Sequence, residues 1–263
     1  MSSKYISFEI KEGYAILRFN RPQRKNAIIP EMQVALTHHL NQLESDESVK
    51  VVVLTGTGEY YTSGADFLGG NSMPGDVVDS LQIFKDLVDR LITFPKPIIA
   101  AVNGPAIGMG VTTLPLCDVV YASSSSTFIT PFSRIAAAPE GCSSYTFSKA
   151  MGYAKANEML LFNRTLSAQE AYTAGLVTEV FPKEVFKAEV QKRVEEIIDN
   201  PIKSMIYGKR LIRGPEIKTL LHVNEVEFKR LIERFQSEDV VVQAMKFFQK
   251  RQKLKEERMA SKL

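Results

Sequence analysis

The stretch from Pro97 to Asp118, PIIAAVNGPAIGMGVTTLPLCD, constrains this chain more than any other. A proline opens an apolar run, Ile98 to Val102, that is short enough for a buried strand. Asn103, Gly104 and Pro105 interrupt it, and Gly108 and Gly110 lead into an apolar, helix-like segment ending near Asp118. A strand that turns through glycines into a helix leaves the first helical N–H groups unpartnered and aimed at whatever lies above the turn. Glycine also lets a ligand approach the backbone closely. Taken alone, the pattern reads equally well as a tight turn between buried elements.

The surrounding chain has room for a sizeable core. At 263 residues, with 44% hydrophobic and 24% charged residues, it reads as one large globular domain or a domain with an appendage. Tyr5–Ile10 and Tyr14–Asn20 alternate as strands around a Lys11-Glu12-Gly13 turn, and Pro30–Leu43 has helical spacing with proline at its start. Asp76–Leu91 is amphipathic, with Val77, Leu81, Phe84, Leu87, Val88 and Leu91 on one broad face. That face reads as core, part of which could line an acyl pocket. Strand–helix alternation from residue 51 to 122 implies a parallel sheet. Val119–Ser126 and Phe128–Phe132 read as strands, and from Ser143 the chain turns helical apart from a strand-like break at Leu176–Phe181. Val185–Ile198, Ser204–Ile212, Ile217–Phe235 and about Val240–Glu257 are the later helices.

Composition excludes several classes of function. A net charge of +3 is too mild to argue for nucleic acid, and no apolar run is long enough to span a membrane. The first residues contain no apolar signal core, so secretion is not expected. Cys117 and Cys142 sit among apolar or small residues and read as buried free thiols rather than a disulfide framework. His38, His39 and His222 have no metal-ligand spacing, so no metal is expected. No dinucleotide fingerprint or phosphate loop is present, so no redox cofactor is implied. The final tripeptide, Ser261-Lys262-Leu263, matches a receptor-read peroxisomal address, which gives a peroxisomal import receptor as partner and the peroxisome matrix as expected location.

A second glycine-centred turn, Tyr60 to Phe67 (YYTSGADF), follows another buried-strand pattern, Val51 to Thr55. Two such turns can offer two N–H groups to one oxygen atom, which is what an oxyanion hole requires. Ser63-Gly64-Ala65-Asp66, the Ala100–Gly108 turn and the Cys117-Asp118 step together resemble the crotonase (enoyl-CoA hydratase/isomerase) superfamily, over nearly the whole chain. The resemblance implies an α/β fold, a spiral of ββα units over residues 1–200, then a C-terminal helical region over 201–263. It also implies an acyl-CoA thioester as substrate, with CoA entering as part of that substrate, and trimers or paired trimers as the assembly. Ala65 and Met109 fall on the two oxyanion-hole positions. Lys25, Asn26 and Ala27 fall on the loop that holds the adenine and phosphates, mostly through backbone groups; Ser63, Gly64, Asp66, Phe67 and Gly108 complete the substrate-binding set. The side chains of Asp66 and Asp118 are expected to serve structure rather than chemistry.

The reaction depends on the acids and bases around such a hole. Enoyl-CoA hydratases place two glutamates there, and the matching positions here hold Thr112 and Phe132, which argues against hydration. Glu140 stands where hydratases carry a small residue, and Pro139-Glu140-Gly141-Cys142-Ser143-Ser144 resembles the peroxisomal Δ3,Δ2-enoyl-CoA isomerases, whose glutamate at that place is the base. The resemblance then implies that Glu140 takes a proton from C2 of a 3-enoyl-CoA and returns it at C4, through a dienolate held by Ala65 and Met109. Burial should raise the pKa of such a base. Read without the resemblance, Glu140 is an acid at a helix N-terminus. Two alternatives stand beside the isomerase reading: another crotonase-type reaction such as hydration, or a non-catalytic acyl-CoA-binding scaffold like the crotonase-like domains of chromatin proteins. Glu140, the Ser-Lys-Leu terminus and the lack of an appended chromatin-binding domain argue against the scaffold, and no extra acyl-CoA-binding domain is expected before the first strand.

Overall fold

Parallel strands covered on both faces are built from unbroken apolar runs, and three such runs form the middle of the main sheet: β3 (Val49–Gly56), β4 (Ile98–Val102) and β6 (Val119–Ser123). The computed structural model describes residues 3–66 and 74–240, together with 242, 243, 245, 246 and 249. The expected hairpin is present as β1 (Ile6–Lys11) and β2 (Gly13–Phe19), antiparallel to each other. The sheet runs β1-β2-β3-β4-β6-β9, where β9 is Glu179–Phe181, and every pairing after the hairpin is parallel.

Alternate residues of these strands go to opposite faces, as strand geometry demands. Ala15, Leu17, Val52, Leu54, Ile98, Ala100 and Val120 enter the main core with α1 (Pro30–Ser45) and α2 (Pro74–Thr93). Ile16, Val51, Val53, Ile99 and Tyr121 face the other way, onto Phe186, Val190 and Val194 of α6 (Phe186–Ile198).

A second, three-stranded sheet contains β5 (Ala106–Ile107), β7 (Thr127–Ile129) and β8 (Leu166–Ser167), and single bridges at Thr62–Ala106 and Ile28–Ala65 sit beside it. Each turn of the chain therefore gives one strand to the large sheet, one strand or bridge to the small one, and then a helix. The units are β3, Thr62–Ala65 and α2; β4, β5 and α3 (Met109–Thr112); β6, β7 and α4 (Ser143–Leu160). This is the expected spiral of ββα units. A helical region follows, with α7 (Ile202–Arg213) and α8 (Ile217–Phe235). Asp118 has the framework role expected of it: its carboxylate accepts the Ile98 N–H at 2.8 Å and Lys209 Nζ of α7 at 2.7 Å.

Several local expectations change. The helix expected from Gly108 to Asp118 is only the single turn α3 followed by a 3₁₀ turn, Leu114–Leu116, because Pro115 brings no N–H to continue it. The strand expected over Phe128–Phe132 stops at Ile129, and Phe132 instead starts a 3₁₀ turn and is buried. The stretch read as helical after Ser143 is interrupted by β8, which leads through a Ser167–Glu170 capping box into the helix α5 (Ala168–Thr173). Phe67, most of the expected 240–257 helix, and Ser261, Lys262 and Leu263 lie outside the described residues.

Asn26 has a role that the sequence does not suggest. It is fully buried, and its Oδ1 accepts the Arg21 N–H at 2.9 Å while its Nδ2 donates to Thr57 O (2.9 Å) and Tyr60 O (2.7 Å). One side chain thus ties the 21–27 loop to the turn after β3. Asn26→Ala leaves one buried and two half-buried backbone groups without this partner and should cost about 2 kcal/mol. The measurement is the urea midpoint, which should fall with little change in slope.

Candidate active site

Thr62 holds the two glycine turns together. Its N–H donates to Pro105 O at 3.3 Å, its carbonyl accepts the Ile107 N–H at 3.1 Å, and its hydroxyl donates to Asn26 O at 2.7 Å. The chain then reverses at Gly64, whose φ of +81° suits glycine and whose added Cβ would lie 2.9 Å from Ile107 O. The two turns are therefore in direct contact.

This packing leaves two N–H groups over. In the bridge to Ile28, the bonds run from Ile28 N–H to Gly64 O and from Asp66 N–H to Ile28 O, at 2.8 and 2.9 Å, so Ala65 itself is skipped. On the other turn, Gly108 N–H donates to Ile129 O and Gly108 O accepts the Val111 and Thr112 N–H groups, so Met109 N–H opens α3 without an intrahelical partner. Among the described residues, neither Ala65 N–H nor Met109 N–H donates a hydrogen bond. Gln33 of α1 steadies the buried Met109 side chain, with Nε2 3.9 Å from Sδ.

Glu140 lies at the other end of the same helical turn. A Cβ on Gly141 would stand 2.7 Å from Thr112 Oγ1 and 3.6 Å from Phe84 Cζ, so the Glu140-Gly141 step packs directly on the last residue of α3. Met109 and Thr112 are separated by only about 5 Å along the helix axis. Leu81 and Phe84 of α2 and Asn224, Glu227, Phe228 and Leu231 of α8 line the pocket around Glu140. Part of the α2 apolar face thus lines this pocket, while Leu87, Val88 and Leu91 are core. Glu140 keeps some solvent contact, but protein surrounds its carboxyl; burial first, then the charge of Glu227, raises its pKa to about 8.

The remaining sequence-predicted residues fall into two groups. Ser63, Gly64, Ala65, Asp66, Gly108 and Met109 are brought together by the interlocked turns. The Asp66 carboxylate receives Arg21 Nη1 at 3.0 Å, and the same Arg21 nitrogen donates to Ala27 O at 2.6 Å, bracing the Ala65 turn against the basic loop. In that loop Lys25 is exposed, with Nζ 4.9 Å from the Tyr60 ring centre, whereas Asn26 is committed to the framework. The Lys25, Asn26 and Ala27 N–H groups donate to Pro22 O, Arg21 O and Arg24 O, so the loop's backbone donors are spent internally. Thr112 and Phe132, at the two hydratase positions, are both buried and carry no carboxylate.

Sequence reasoning does not single out Glu227. The signal was present as a charged residue within the buried stripe Leu220, Asn224, Glu227 and Leu231 of an otherwise amphipathic helix.

Two unspent N–H groups on interlocked turns, with a carboxylate packed against the far end of the helical turn that one of them opens, form a site suited to polarising a carbonyl and moving a proton near it. The family model for enoyl-CoA hydratase/isomerase matches residues 9–257, and the chain belongs to that family. It is 43% identical over 256 residues to enoyl-CoA delta isomerase 2 of Rattus norvegicus, covering 96% of this chain but 65% of the rat protein, just under two thirds of its length. It is 42% identical over 257 residues to enoyl-CoA delta isomerase 3, peroxisomal, of Mus musculus, covering 96% of this chain and 81% of that protein. The solved enoyl-CoA hydratase/isomerase of Pseudoalteromonas atlantica superposes with a TM-score of 0.85 at 34% identity, covering 94% of this chain and 98% of that one.

The raised Glu140 pKa has a consequence for stability. An acid that titrates near 8 when folded and near its ordinary 4.5 when unfolded destabilises the fold increasingly as pH rises between those values, and fully above 8. Glu140→Gln should therefore be more stable than wild type at pH 9, by about 5 kcal/mol if the whole shift is expressed, and little different near pH 5. Urea titrations at the two pH values measure the difference; an equal gain at both would remove the titration of Glu140 as its cause.

Proposed function

We propose that this protein is a Δ3,Δ2-enoyl-CoA isomerase acting on unsaturated acyl-CoA thioesters, and that Glu140, Ala65 and Met109 perform the reaction. The observation that carries the reading is the placement of Glu140 at one end of α3 and the unspent Met109 N–H at the other. The names of the rat and mouse relatives support the same activity.

In this mechanism the thioester carbonyl oxygen sits between the N–H groups of Ala65 and Met109. The Glu140 carboxylate removes a proton from C2, the electron pair delocalises through C3–C4 into the carbonyl, and the dienolate oxygen is held by the two N–H donors. The Glu140 carboxyl returns the same proton to C4, leaving a C2–C3 double bond and regenerating the carboxylate. Atoms balance without a cofactor, because CoA belongs to the substrate. A base with a pKa near 8 accepts a carbon-bound proton far more readily than an ordinary carboxylate does. With Thr112 and Phe132 in place of two glutamates, nothing at those positions can activate water. Ser63, Gly64, Asp66 and Gly108 would shape the thioester end of the site, and exposed Lys25 is the cation of the 25–27 loop available to a CoA phosphate.

The test is conversion of a 3-enoyl-CoA to its 2-trans isomer, with hydration of a 2-enoyl-CoA run in parallel. Wild type should isomerise and not hydrate, and Glu140→Gln should lose about 10³-fold in kcat. Isomerisation that survives in the variant would place the base elsewhere. Folded wild type that binds acyl-CoA without turnover would make the chain a binding module.

The proposed location is the peroxisome, which the name of the mouse relative supports. Removal of Ser261-Lys262-Leu263 tests whether that tripeptide is the address: a fluorescent fusion of the full chain should be peroxisomal and the truncated one diffuse.

A further inference from the structure

Helix α8 runs behind the Glu140 loop and grips it at Leu220, Glu227 and Arg234. These residues are seven apart, nearly two full helical turns, so they form one stripe. Leu220 O accepts the Cys142 thiol at 3.3 Å, and Arg234 Nε donates to Ala136 O at 3.1 Å. Between them, Glu227 Oε2 accepts the Cys142 N–H at 2.7 Å and Oε1 accepts the Ser144 N–H at 2.9 Å. The loop is thus held on both sides of Glu140.

Glu227 is unusual for such a clamp. It is only 6% exposed and has no ion-pair partner among the described residues. A neutral acceptor such as Asn or Ser caps a helix without the cost of burying a charge. The charge therefore adds something that capping alone does not need. Glu140 and Glu227 line one pocket, and their surroundings differ: Glu227 has two N–H donors, whereas the Glu140 carboxyl accepts no hydrogen bond among the described residues.

We propose that Glu227 is a positioning residue for the isomerase reaction, holding the turn that carries Glu140 and setting a second negative charge beside it. The inference rests on the reading of Glu140 as the base. Burial raises the Glu227 pKa above its ordinary value, and its two N–H donors pull it back down, so Glu227 is the better stabilised carboxylate of the two; its charge then opposes ionisation of its donor-less neighbour, a division of roles between paired carboxyls that produces one strong base. Among the described residues, the other charged or titratable groups acting on this cluster are Lys85 and Asp89 of α2, Arg213 at the end of α7 and the Cys142 thiol. Lys85 is engaged by Asp89 and by Glu225 of α8, and burial pushes the Cys142 thiol up, so it stays neutral.

The experiment compares wild type, Glu140→Gln and Glu227→Gln as full chains. It follows the pH dependence of kcat/KM on a 3-enoyl-CoA and the infrared band of the protonated carboxyl that disappears in Glu140→Gln. In Glu227→Gln both the acidic limb and the band midpoint should move down by about one pH unit, with kcat reduced more than KM is changed. An unmoved midpoint, with only lower activity or stability, overturns the proposal and leaves Glu227 a helix cap. Glu140→Gln gives a second check that does not require Glu227→Gln to fold: it should show no protonated buried carboxyl at pH 7, and such a band would mean that Glu227 carries no charge to exert. A wild type that does not isomerise, but whose Glu140 band still shifts in Glu227→Gln, would overturn the functional reading and leave the pairing of the two carboxyls in place.

Discussion

The site depends on one interaction, the hydrogen-bonded seam between Thr62 and the Pro105–Ile107 strand. That seam joins two successive turns of the spiral, so each glycine turn is fixed by its neighbour rather than by its own sequence. The backbone on either side of it, in the Ile28–Ala65 bridge and at the start of α3, explains why N–H groups are left over. A parallel bridge uses the groups on either side of the skipped residue, and Ala65 is that residue. The first residue of a helix has no intrahelical acceptor for its N–H, and Met109 holds that place. Two orphan donors follow from ordinary backbone rules once the seam is made.

Around these donors the side chains form supports in layers. Asn26 fixes the loop after β2 to the turn after β3, Arg21 braces that loop against Asp66, and Gln33 steadies Met109. On the opposite side, α2 and α8 enclose Glu140. Burial of an unpaired carboxyl works against stability, and the fold offsets it with the core that α1 and α2 share with the sheet. On the proposed reading of Glu140 as the base, rigid backing would matter, because a proton moved between nearby carbons leaves little tolerance in position.

Legibility in the sequence tracked how local each determinant was. The apolar runs of β3, β4 and β6 are long enough to show themselves, as are the amphipathic faces of α1 and α2. The two-residue strands β5 and β8 are too short to show any period, and they exist because neighbouring turns offer them a partner. The segment after Gly108 looked like a full helix because its residues are apolar, but Pro115 ends regular α-helical bonding after one turn. Asn26 was readable as part of a basic loop, yet its three hydrogen bonds reach residues more than 30 positions away or depend on a left-handed backbone.

By itself, the sequence determined the alternation of strand and helix, the two glycine turns and the isolated glutamate at residue 140, since these are set by local periodicity and residue type. Tertiary structure decided which backbone N–H groups stay free, how Glu140 meets the end of α3, and that Glu227 stands behind it from 87 residues further along the chain. The physical reason is that desolvation and hydrogen-bond saturation are properties of a packed neighbourhood, and a neighbourhood exists only after the spiral has closed.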